Sequence, residues 1–168
     1  MALPLKVRLY DDTILRRKCD SVIKVDSAER MLIQSMIHTM HSHKGIGLAA
    51  PQVGIARQML VADVDDGRGP IALVNPKIIT TKGEAEMEEG CLSIPEVHIK
   101  VIRPAEVVVH FTNENNEEME GRFTELMARV VLHEMDHLNG KLILDYATDD
   151  ELQKYKAKIE EIKRMSKG

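Results

Sequence analysis

The sequence predicts an α+β fold in which antiparallel strands surround a central buried helix, with one further helix towards each end of the chain. Three observations carry this. Helical periodicity with capping signals recurs at three well-separated places. Between the first two lie runs rich in β-branched residues, bounded by turn clusters. The gaps between the first three of these runs are too short for helical crossovers, which suggests antiparallel pairing. At 168 residues, with 43% hydrophobic and 30% charged residues, the chain can bury a full core in the manner of an ordinary globular protein. Only three tyrosines and two phenylalanines are present, so that core is aliphatic and methionine-rich. No repeat, low-complexity tract or linker divides the chain, and residues 1–168 are expected to form a single domain.

The first helix is expected over Ser27–Ser42. Asp26 caps it, Glu29 completes a capping box, and Ala28, Met31, Leu32, Ser35, Met36 and Met40 share one face, before Lys44-Gly45 ends it. Strand-like runs follow at Met59–Val64, Ile71–Val74, Lys77–Thr80 and Val107–Thr112, separated by clusters such as Asp65-Asp66-Gly67 and Asn113-Glu114-Asn115-Asn116. The second helix spans Glu125–Leu138 and stops at Asn139-Gly140. The third starts at Thr148, where Glu151 completes another capping box, and carries Leu152, Tyr155, Ile159, Ile162 and Met165 as an apolar stripe. Residues 149–168 thus read as a basic amphipathic C-terminal helix: from Lys154 onward six basic residues face two acids, giving +4 on a body of −8.

Bulk features exclude several classes. Two cysteines, Cys19 and Cys91, are too few for a disulfide scaffold or a four-cysteine zinc site, which suggests a reducing, cytoplasmic setting. The amino terminus lacks an apolar run of signal-peptide length, and no stretch approaches membrane-spanning length, so neither secretion nor a membrane is expected. A net charge of −4 gives no global reason to expect DNA as a partner.

The chemical signal is His133-Glu134-Met135-Asp136-His137. Residues four apart on a helix share a face, so both imidazoles can hold one ion while Glu134 handles the proton of an activated water. Val130, Val131 and Leu132 indicate that this helix is buried. The pentapeptide alone can arise by chance on a solvated helix, and a third ligand must decide. A metzincin-type peptidase would need a histidine where Ile143 stands. A thermolysin-like peptidase would need a later glutamate, and Glu151 and Glu160 stand in no recognisable motif. Cys91, within Glu89-Gly90-Cys91-Leu92-Ser93, remains.

That segment resembles the EGCLS motif of the peptide deformylase family, and two further matches occur in the expected order. Gly45-Ile46-Gly47-Leu48-Ala49-Ala50-Pro51-Gln52 is similar to the family's GxGxAAxQ motif, and His133 to Gly140 reads HEMDHLNG, its HExDHxxG motif. Pro95, Val101 and Arg103 follow EGCLS at the family's spacing. The resemblance implies that Cys91, His133 and His137 ligate a divalent metal and leave a fourth position open. It implies ferrous iron (Fe2+) in the cell, while Zn2+, Ni2+ or Co2+ would suit the same donors. The expected activity is hydrolysis of the N-formyl group from N-formylmethionyl nascent peptides. Glu134 would carry the proton, Gln52 and the Leu92 N–H would stabilise the oxyanion, and Gly47 would permit close backbone approach. Ile46, Met87, Leu126 and Val130 would form the methionine side-chain pocket with the His133 ring, although each taken alone reads as a core residue. The basic C-terminal helix would turn its lysines outward, towards the ribosome.

Two departures from the family pattern stand out: Leu132 where glutamine is common, and Glu125 where glycine is common near the pocket mouth. His38, His41 and His43 read as a solvated helix end, and His98, His110 and Cys19 carry no ligand spacing. Two rival functions stay open on sequence: an HExxH endopeptidase, and a non-catalytic metal-binding or ribosome-associated module.

Overall fold

The computed structural model describes residues 3–168. After a 3-10 turn at Thr13–Arg16, helix α1 (Ser27–Ser42) forms with both halves of its predicted capping box in place. Strands β1 (Gly47–Ala49), β2 (Met59–Ala62) and β3 (Ile71–Lys82) follow. Next come β4 (Ala85–Cys91), β5 (Ile94–Arg103), β6 (Glu106–Thr112) and β7 (Glu118–Thr124). Helix α2 (Glu125–Leu138) has the predicted bounds, and α3 (Asp149–Lys154) and α4 (Lys156–Lys167) close the chain. Five strands form one sheet in the order β1-β2-β3-β6-β7, and β4 pairs with β5 in a second sheet; all these pairings are antiparallel.

The predicted strands at Ile71–Val74 and Lys77–Thr80 are one strand, β3. Pro76 lies at an irregularity between Val74 and Lys77, beside Asn75 at φ +51. A bulge is where a strand tolerates a residue without a backbone N–H. The Asn75 amide secures it by donating to Val22 O at 2.7 Å and accepting from Val22 N–H at 2.8 Å.

Strands β4, β5 and β7 were not expected. β4 and β7 are glutamate-rich, which masks their β character. They form because their partners do: Met87 pairs with Val101 and Met119 with Phe111. β5 alternates as a half-buried strand should, with Val97, Ile99 and Val101 inside and His98, Lys100 and Ile102 outside.

Helix α2 buries Met127, Ala128, Val131 and Leu138 against a core that includes Leu60, Leu73, Val107 and Val109 of the five-stranded sheet. Helix α1 covers a second cluster through Ile33, Met36 and Met40. The third cluster joins β5 to Leu15, Leu142 and Ile162 of α4.

The predicted third helix is broken at Tyr155. The break falls between two anchors: Glu151 accepts the Lys100 backbone N–H at 3.0 Å, and Ile162 is wholly buried. Only part of the predicted stripe packs, since Leu152 and Met165 remain exposed. Nor do all the lysines point outward. Lys158 Nζ lies 2.5 Å from Glu96 Oε2, and Lys163 is partly covered near Glu160 and the Tyr10 ring. Among the described residues, no helix is long and apolar enough to cross a membrane.

Candidate active site

The donor atoms of Cys91, His133 and His137 lie within 4.8 Å of one another, the single such cluster among the described residues. Helix α2 supplies both imidazoles one turn apart, and the end of β4 supplies the thiol, with Cys91 Sγ 3.4 Å from His137 Nε2. Glu151 and Glu160 are elsewhere; Glu151 caps α3 and holds β5.

The donor set suits a transition metal: a soft sulfur and two imidazoles, three protein donors in all. His133 Nδ1 donates to Glu89 Oε1 at 2.9 Å, which fixes the tautomer and leaves Nε2 free for an ion. Burial drives the His137 imidazole well below the usual histidine range, so it is a neutral base ready to ligate. Burial also disfavours charge on His133, yet Glu134, Cys91 and Glu89 outweigh it and raise this group well above its ordinary value. Surroundings that hold a proton so firmly also welcome a metal cation.

Glu134 stands beside both rings, 3.9 Å from His133 Nε2 and 4.0 Å from His137 Nε2. Burial raises its carboxyl to about 7, and its Oε1 is buried without a hydrogen-bond partner. Gly47 makes room for it. A Cβ at that position would lie 2.5 Å from Glu134 Oε2 and 2.7 Å from Val130 Cγ1.

A cavity of about 580 Å³ opens over this cluster, lined by Ile46, Gly47, Gln52, Met87, Cys91 and Leu92, and also by Leu126, Val130, His133 and Glu134. Every site residue predicted from sequence faces it except His137, which lies 1% exposed behind the wall. Val130 is buried, whereas Ile46, Met87 and Leu126 are between 38% and 49% exposed, an apolar rim rather than core. Gln52 is held in a 3-10 turn, where its Oε1 accepts the Ala49 N–H at 2.9 Å. Its amide nitrogen donates towards Cys91 Sγ at 3.4 Å and Ser93 Oγ at 3.2 Å. Leu92 begins the tight turn between β4 and β5.

Sequence reasoning gave no role to Glu89, Arg103 or Arg129. The Glu89 carboxylate is buried under the site, where Arg103 grips it through Nε at 2.6 Å and Nη2 at 2.8 Å, and Arg129 also donates to it. The cue was present in the EGCLS segment and in the spacing of Arg103, but nothing in one dimension shows that the two meet. Glu125 adopts φ +53, which explains why a glycine is at home there. Cys19 is buried against α2 and belongs to no donor cluster, its thiol pushed up to about 11 by burial. Of the histidines read as a solvated helix end, His41 is exposed and pairs with Asp63, while His43 reaches the cavity rim, as does His98, which carries no ligand spacing.

The site offers a Cys-His-His set, backed by a buried glutamate, that could hold one metal ion at the floor of the cavity. The chain belongs to the polypeptide deformylase family, whose profile matches residues 4–153. It is 40% identical over 163 residues to a peptide deformylase of Prosthecochloris aestuarii, covering 94% of this chain and 88% of that one. Identity to a peptide deformylase of Clostridium botulinum is 46% over 142 residues, 84% of this chain and 95% of that one. Among solved structures, the Legionella pneumophila peptide deformylase superposes with a TM-score of 0.91 at 34% identity, over 98% of both chains. That of Synechococcus elongatus, in complex with actinonin, gives 0.88 at 40% identity, over 94% of this chain and 89% of that one.

Proposed function

We propose that this chain, acting as one domain, hydrolyses the N-formyl group of N-formylmethionyl nascent peptides in the cytoplasm and releases formate. One observation carries the reading: the Cys91, His133 and His137 donors converge beside the buried Glu134 carboxyl group, one of whose oxygens has no hydrogen-bond partner, and Glu134 lines the same cavity. A divalent ion held by these three residues would acidify a water and polarise the formyl carbonyl. Glu134 accepts the proton of the attacking water and returns it to the departing amine, one group serving as base and then as acid. The Gln52 amide and the Leu92 N–H donate to the oxygen as it gains charge. Gly47 allows Glu134 to approach, and the rim of Ile46, Met87 and Leu126, with Val130 beneath, receives the methionine side chain.

The thiolate favours ferrous iron where the cell supplies it, and Zn2+, Ni2+ and Co2+ fit the same donors. The exposed cations Lys154, Lys156, Arg164 and Lys167 of the C-terminal helices are proposed to meet the ribosome.

Formate release from formyl-Met-Ala-Ser by the metal-loaded protein tests the activity. Turnover of that peptide with casein left intact supports it. Cleavage of casein would establish the endopeptidase, and no turnover of either a non-catalytic module.

A further inference from the structure

Tyr146 lies beyond helix α2, in a 3-10 turn at Ile143–Tyr146. Its hydroxyl donates to Asp136 Oδ2 at 2.6 Å, and the same oxygen accepts Arg103 Nη1 at 2.9 Å. The Arg103 guanidinium carbon also sits 5.2 Å from the centroid of the Tyr146 ring. From Arg103 two further hydrogen bonds reach Glu89, and Glu89 Oε1 takes the His133 Nδ1–H. An unbroken polar chain therefore runs from a half-buried tyrosine to one of the three donors.

We propose that Tyr146 is a positioning residue for the metal centre, acting on His133 through Asp136, Arg103 and Glu89. The inference rests on the reading that Cys91, His133 and His137 hold a metal. Tyr146 is the outermost member, yet it touches two others, Asp136 by its hydroxyl and Arg103 by its ring face. The Asp136 side chain is 23% exposed, so without the tyrosine hydroxyl it is free to turn towards water. Arg103 is only 5% exposed and has no such escape. Once Nη1 loses its fixed acceptor, the guanidinium can pivot about the Glu89 pair, and the carboxylate that orients His133 pivots with it. A buried network transmits this because a partly satisfied member must repack around its unpaired donor.

The test is cobalt(II) binding by Tyr146→Phe, which deletes the hydroxyl and keeps the ring. Affinity is read by chelator competition, and ligand geometry by the visible absorption of the cobalt–thiolate site. Loss of a partner directly on a ligand costs about 10 to 100-fold in metal affinity, and three links away about 3 to 10-fold is expected, with a changed spectrum. Tyr146→Leu, which also removes the ring under Arg103, should exceed it. Val107→Ala, on the core face of β6, serves as the control: it should lower the melting temperature and leave cobalt affinity and spectrum at parent values. Equal affinity loss in Val107→Ala and Tyr146→Phe would reduce the tyrosine to general stability and overturn the proposal. A Tyr146→Phe protein with parental affinity and spectrum overturns it as well. A parent that takes up no cobalt overturns the metal reading, and this inference with it.

Discussion

At Gly47 a single methyl group would stand 2.5 Å from the Glu134 carboxylate, so this position tests the site's geometry without altering any polar atom. Gly47→Ala is expected to fold and keep its metal, but to displace Glu134. Misplacing a reacting group by about 1 Å costs about 100-fold, so kcat should fall by that order with metal content unchanged. Glu134→Gln separates proton transfer from ligand orientation. If Glu134 carries the proton, elemental analysis will find full metal while kcat drops by about 100 to 10,000-fold and KM changes far less. Metal loss with kcat per bound ion preserved would assign Glu134 to the ligand scaffold instead. Cys91 brings its own liability. Ferrous iron beside a thiolate invites oxidation of both, so the iron form should lose activity in air and the nickel form should resist. An iron enzyme indifferent to oxygen would count against iron as the working ion.

The β4–β5 hairpin is the element that couples the site to stability, because it carries Cys91, Glu89 and Arg103 together. Burial opposes ionisation of Glu89, but hydrogen bonds from His133 and Arg103 prevail and hold its carboxyl down at about 2, from an ordinary 4.5. The folded value lies below the unfolded one. Its stabilisation is therefore complete above about pH 4.5 and is lost as pH falls towards about 2, about 3 kcal/mol in all. Melting temperatures of the metal-stripped parent and Glu89→Gln should differ widely at pH 5 and converge on approach to pH 2. A constant gap would show that the loss in the variant comes from stranded arginines and not from this titration.

For the whole molecule, charge is divided between an acidic body and a basic carboxy-terminal segment. Lys158 is tied to Glu96, and Lys163 is partly covered, so neither is free to bind a distant polyanion. Lys154, Lys156, Arg164 and Lys167 are exposed. Replacing these four with glutamate should weaken co-sedimentation with ribosomes and flatten its salt dependence, while formyl-Met-Ala-Ser turnover stays at the parent rate. Pelleting that is unchanged at low salt would leave the segment as a solvated surface.

Local rules determined α1 and α2 within the sequence, because the capping box of α1, the glycine stops and the helical periodicity act over a few residues. The same range of interaction made HEMDH legible as two ligands and a carboxylate on one helix, and the three ordered motifs supplied Cys91 and Gln52. Tertiary structure alone decided the rest. β4 and β7 exist through partners across a sheet, and cross-strand pairing and burial override the poor strand preference of their glutamates. Helices α3 and α4 part at Tyr155, between an anchor on β5 and one in the core, although the periodicity runs on without a break. Glu89 meets His133, Arg103 and Arg129 only after β4, β5 and α2 pack together. Its charge is tolerated in the interior because three donors from distant parts of the chain converge there, and no spacing along a sequence encodes such a convergence.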